Sequence, residues 1–186
     1  DETDLYTQNQ YHLVHTHIFP GKVSLNTGLH LTTGQGYYEE QKIDISLVEY
    51  GLSSFFPSDP ILGETDVVQQ KWLDNLFYGA VFSLIKQGDR TEWTFGGAMN
   101  RYDGDHFWRM KWMEFPGNIP PDHEWYRNSG RKDEVNVYGK VNAGVTGSLN
   151  AFLDLQLRHI TYLFEGPDDD MKDLSGSHRL LFFNPK

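Results

Sequence analysis

The sequence predicts an all-β fold built as an antiparallel up-and-down meander. Three observations carry this expectation. Apolar and polar residues alternate with period two in several segments. Short glycine-bearing links join some neighbouring segments, and long links rich in Gly, Pro, Asp and aromatic residues join the others. Successive side chains of a strand point to opposite sides, so this alternation marks strands with one apolar face.

Strands are expected near 7–19, 22–33, 67–86, 91–113, 131–146, 149–165 and 178–184. The first two are separated by Pro20-Gly21, a tight-turn pair. In the second, Val23, Leu25, Thr27, Leu29 and Leu31 share a face against Ser24, Asn26, Gly28, His30 and Thr32. The third and fourth are joined by Gln87-Gly88-Asp89-Arg90, after which Trp93, Phe95, Gly97 and Met99 alternate with Thr94, Gly96, Ala98 and Asn100. In the fifth, Val135, Val137, Gly139, Val141, Ala143 and Val145 oppose Asn136, Tyr138, Lys140, Asn142 and Gly144. Thr146-Gly147-Ser148 then leads into Leu149, Ala151, Leu153, Leu155 and Leu157, which a helical period would scatter around an axis but a strand collects on one face. Within the link from 34 to about 66, the segment 39–51 reads equally as a short helix or an extra hairpin.

Because hairpins alternate their ends, the three short turns fall on one rim. The three long loops, 34 to about 66, 114 to about 130 and 166 to about 177, fall on the other. That asymmetry is the layout of transmembrane β-barrels. A soluble sandwich or lipocalin-type barrel has the same alternation with its apolar face turned inward. Unbroken, segment 67–86 would be about 66 Å long, whereas a bilayer-crossing strand needs only about 9–11 residues. Such strands are expected to project beyond a membrane or to be broken by bulges.

With 12 Phe, 10 Tyr and 5 Trp, the 186 residues are too aromatic for a disordered chain. Lys and Arg total 16 against 26 acids, and the net charge of -10 argues against nucleic acid as a partner. The chain contains 0 cysteines, which excludes disulfides and thiol chemistry. No apolar run approaches the roughly 18 residues of a spanning helix. The sequence contains no G-x-S-x-G, H-E-x-x-H or P-loop motif, so neither an enzyme nor a cofactor is expected.

His12, His15 and His17 do not make a three-ligand metal set, because His12 points away from the other two. Asp168-Asp169-Asp170 with Asp173 lacks the spacing of an EF-hand loop and reads as a solvated acidic loop, and no metal is expected. Glu39-Glu40, as strand neighbours, face opposite sides. Aromatic residues gather toward the long-loop rim: Tyr37, Tyr38, Phe55, Phe56, Trp108, Trp112, Phe115, Trp125 and Tyr126. They read either as an interfacial girdle and loop packing or as platforms for a ligand. The candidate ligand-binding residues are Trp125 and Tyr126, deep in a long loop, with Asp103 and His106 of the Asp103-Gly104-Asp105-His106 stretch.

Five stretches, LTTGQGYYEEQK (31–42), QQKWLDNLFYGAVFSL (69–84), YDGDHFWRMKW (102–112), DLQLRHITYLFEG (154–166) and FFNPK (182–186), are co-linear across nearly the whole chain. In that order the chain resembles the barrel portion of TonB-dependent outer-membrane receptors of the Bacteroidetes type, although Leu31 and Thr33 stand where that family has an aromatic and a basic residue. The resemblance implies a wall segment of a large transmembrane β-barrel, with all of 1–186 in it and the plug domain absent. It implies import of a scarce nutrient, a siderophore, vitamin or glycan, captured at extracellular loops. Its implied partners are outer-membrane lipid and, through the parent protein, the plug and TonB. Some seven strands are too few for a barrel of that family, so the chain is expected to be a piece whose isolated sheet needs detergent or self-association. A soluble β-sandwich carbohydrate-binding module and a small complete eight-strand barrel, with 39–51 as the eighth strand, are the competing expectations.

Overall fold

The computed structural model describes residues 2–48, 50, 52, 63–169 and 171–186. They form a single seven-stranded antiparallel sheet in chain order, with no helix among the described residues. The strands are β1 (Thr3–Phe19), β2 (Val23–Ser46), β3 (Glu64–Gln87), β4 (Thr91–Met113), β5 (Glu124–Gly144), β6 (Asn150–Glu165) and β7 (Gly176–Pro185). Short turns join β1 to β2, β3 to β4 and β5 to β6, and longer links join the others at the opposite rim. In the first turn Gly21 and Lys22 both have positive φ, 85° and 61°, a conformation glycine adopts without strain.

The strands are longer than the alternation alone indicates, and the excess lies at the long-loop rim. The stretch 34–46 continues β2 and is neither helix nor extra hairpin, while 124–130 belongs to β5. These stretches read as loops because they are polar and glycine-bearing. Their polar groups are instead taken up by cross-strand partners, as where Gln35 Nε2 donates to Asp74 at 3.2 Å.

Cross-strand registers align side chains into rows on each face. On the front face, Val23, Lys86, Trp93, Val141 and Leu153 make one row. Above it stand Leu25, Leu84, Phe95, Gly139 and Leu155, then Thr27, Phe82, Gly97, Val137, Leu157 and Phe183. Leu29, Ala80, Met99, Val135, His159 and Leu181 complete the band. No second layer covers it among the described residues: Trp93 is 56% exposed, Met99 60% and Phe183 64%. Toward the long-loop rim this face turns polar, with Arg101 opposite Asp133 and Asp103 opposite Arg131.

The back face carries ladders of paired polar groups over the same levels. His30 bonds Asn100 at 2.9 Å, Arg158 grips Glu134 at 2.8 and 2.7 Å, and Lys140 lies 3.6 Å from Asp154. Glycines concentrate here, and tyrosine rings close on the space a Cβ would take: Tyr6 at Gly34 and Gly36, Tyr138 at Gly96, Tyr102 at Gly104. A Cβ on Gly96 would meet the Tyr138 ring at 2.5 Å. The segregation is incomplete, because β3 is apolar on both faces around Phe77 and Val81.

Among the described residues, the one core cluster of buried side chains sits at the long-loop rim. It comprises Ile45, Leu47, Leu52, Val67, Met110, Met113, Trp125 and Tyr126, with Tyr50, Trp108 and Ile119 packed against it.

Candidate functional site

Bulges build this rim. The registers shift between Lys42 and Ile45, between Val68 and Gln69, and between Trp108 and Arg109. At the third shift Tyr126 pairs with Trp108 and Glu124 with Arg109, which leaves Trp125 as the extra residue of β5. Neighbours on a regular strand face opposite ways, but here Trp125 and Tyr126 both enter the cluster. Both meet the Trp108 ring edge-on, with centroids at 5.3 and 5.6 Å.

Trp125 also lies 5.3 Å from the ring of Tyr50. The two candidate ligand residues are therefore on a strand, not in a loop, and are only 7% and 8% exposed. Burial, followed by the charge of Asp169, raises the Tyr126 hydroxyl above its usual pKa. Its oxygen accepts from Asn128 Nδ2 at 2.8 Å, and the same amide donates to the Pro167 carbonyl at 3.0 Å.

Beside the cluster lies a polar set that sequence reading did not single out. Gln69 Nε2 and Lys71 Nζ both donate to Glu40, at 2.6 and 2.7 Å, and the Lys71 ammonium sits 4.2 Å over the Trp108 ring. Burial pushes the Glu40 carboxyl up, but the bonds from Lys71 and Gln69 outweigh it and hold it below its usual value. Glu39, on the other face, accepts from Gln70 at 2.7 Å. The available signal was the alternation of Gln69 and Lys71, which puts both on the face of Glu40. Gln69 Oε1 and Trp125 Nε1 are buried without a partner among the described residues, an acceptor and a donor left to any group that opens this cluster.

His106 shares the back face with Tyr126 and stands opposite Asn128, exposed beside a cavity of about 350 Å³ lined also by Tyr102, Gly130 and Phe164. Asp103 is on the front face, 2.7 Å from Arg131 Nε. The structure thus gathers Trp125, Tyr126 and His106 on one side of the sheet and places Asp103 on the other. Phe55 and Phe56 lie outside the described residues, as does Asp170.

The remaining acids are held by their own loops. Asp168 and Asp173 accept backbone bonds from Lys172 and Ser175, each at 2.8 Å, and among the described residues no three His, Asp or Glu side chains converge as a metal site. His15 and His17 share a face with ring centroids 6.3 Å apart, while His12 pairs with His30 on the other. No protein-family model matches the chain, and no curated protein matches it.

Proposed function

We propose that the chain is a wall segment of a large transmembrane β-barrel in an outer membrane, of the kind TonB-dependent receptors use to import a scarce nutrient. One observation carries the reading: the front face bears an uncovered, predominantly apolar band at the short-turn end, interrupted by Lys86, His159 and, on β1, His15 and His17, and between β4 and β5 the same face becomes an ion-pair lattice immediately above it. A folded soluble domain would bury that band in a core, whereas a barrel turns it to lipid and keeps the opposite face polar. Four rows separated by two residues each span roughly 20 Å along a strand, or about 15 Å across a membrane at a typical tilt, with further apolar residues such as Leu31 and Tyr78 extending it on β2 and β3.

The edges support the same reading. β1 and β7 both run from the long-loop rim to the short-turn rim, so they cannot pair antiparallel with each other. Closing the wall as an antiparallel barrel takes an odd number of further strands. β1 presents 17 residues whose only described charge is Asp4, an edge unlike the charged or proline-bearing edges of soluble sheets. Glycines whose Cβ space is taken by tyrosine rings suit the crowded concave side of a curved sheet. In this reading the rim around Trp125, Tyr126 and His106 faces outside the cell and lies toward the barrel interior, where the exposed His106 contacts the nutrient and the buried Trp125 and Tyr126 do so only if the cluster opens.

Sedimentation velocity with and without detergent, with circular dichroism in each, tests the proposal. The expected result is aggregation or loss of structure in plain buffer and a dispersed β-rich species in detergent. A compact monomer in plain buffer overturns it in favour of a soluble sandwich, with its band packed inward.

A further inference from the structure

The front face holds a second feature, higher up, that the import reading does not use. Across β1, β2 and β3, Leu5, Thr7, Asn9, Thr33, Gln35, Tyr37, Trp72 and Asp74 line a groove of about 470 Å³, in the size range of small-ligand clefts. Tyr37 and Trp72 form its aromatic wall, with centroids 4.8 Å apart. The Trp72 indole N–H is already satisfied by Gln70 Oε1 at 3.0 Å, so that ring offers area rather than a donor. Apart from the apolar Leu5, the remaining side chains of the lining are hydroxyls, amides and one carboxylate, Asp74, oriented by Gln35. No lining residue carries a cationic side chain; the Arg109 guanidinium lies 5.2 Å over the Trp72 ring but outside the lining.

An aromatic wall facing a carboxylate, amides and hydroxyls suits a neutral sugar: the ring stacks on the apolar face of a hexose while vicinal hydroxyls donate to the carboxylate. Position selects the source. The groove is on the same face as the apolar band, and the Gln35–Asp74 row stands two rows above the Leu31–Tyr78 row. That is roughly 10 Å above the band along the membrane normal, at headgroup depth. We infer that this groove binds the neutral hexosyl headgroup of a membrane glycolipid whose acyl chains lie on the band below. The inference rests on the lipid-facing reading of that band.

The test uses the full chain in phosphatidylcholine nanodiscs containing digalactosyl diacylglycerol as a minor component, with retained lipid counted by native mass spectrometry. Because the chain has 0 cysteines, a fluorophore on Leu155→Cys reports separately whether the band meets lipid, through quenching by spin-labelled acyl chains. The expected result is a quenched band, selective retention of the galactolipid, and about a tenfold loss of that selectivity in both Trp72→Leu and Asp74→Ala, equivalent to roughly 1.4 kcal/mol. A quenched band with no selectivity, or with selectivity unchanged in both variants, overturns the groove and leaves the membrane reading standing. An unquenched band overturns both. Displacement by chain-free digalactosyl glycerol at the same concentration as the lipid overturns the lipid as the source.

Discussion

Arg101 on β4 stands directly opposite Asp133 on β5, with Nε 2.5 Å from Oδ1, and one row below it on the same face Met99 opposes Val135. The change from exposed hydrocarbon to paired charge is thus completed within a single step of the β4–β5 ladder. A gradual change would fit a surface grading into solvent; an abrupt one fits a boundary between two media.

On the proposed lipid-facing reading of the band, substitution costs depend on depth. Val137→Arg and Leu155→Arg, in the middle rows of the band, are expected to destabilise the folded form in bilayers by about 2–4 kcal/mol, and Leu153→Arg, in the edge row that already holds Lys86, by less, whereas Gln156→Arg on the back face is tolerated. Denaturant titration in vesicles measures this, and equal tolerance at Val137 and Gln156 would remove the lipid-facing assignment.

The charge lattice above the band favours the observed register of β4 on β5. Asp103 meets Arg131 at 2.7 Å beside the Arg101–Asp133 pair, and a two-residue slip in either direction sets Asp103 against Asp133 or Arg101 against Arg131. Both pairs are substantially exposed and screened by solvent, so each adds little to overall stability and acts mainly on register. Asp103→Arg is expected to lower stability, and Asp103→Arg combined with Arg131→Asp to recover most of it. A double-mutant cycle with no coupling would contradict the register role.

Two glycines one face apart make a contrasting pair. On Gly96 a side chain runs into the Tyr138 ring, and Gly96→Val is expected to cost about 1–3 kcal/mol by overpacking. On Gly139 a Cβ meets nothing within 4 Å, and Gly139→Val is expected to be neutral or stabilising. Thermal melts of the two variants in the same detergent check the ordering.

Acid is expected to loosen the long-loop rim before the band. Arg127 holds the Glu124 carboxyl low, Lys111 does the same for Asp122, and Lys71 and Gln69 outweigh burial at Glu40. A carboxyl whose pKa is depressed on folding contributes stability that is fully present above its unfolded pKa and lost as pH falls through the folded one. The rim should therefore be unchanged from neutrality to about pH 5 and open progressively below about pH 4. Hydrogen exchange at the Met110 amide, bonded to the His123 carbonyl at 2.9 Å, should rise there while amides of 93–99 stay protected. Equal loss in both regions would refute a rim-specific effect.

The chain itself determined how many strands form, which residues share a face, and which rim carries the long connections. These follow from a local period of two and from Gly-bearing turns, neither of which needs a distant partner. It also carried the parity that separates Asp103 from His106, three positions apart on one strand. The tertiary structure decided the register that sets Arg101 against Asp133, because register is a sum over pairings between distant segments. It also decided that Trp125 and Tyr126, neighbours in sequence, turn to the same side: a bulge breaks the period of two, and it forms only where β5 meets β4 and the rim cluster can bury both rings.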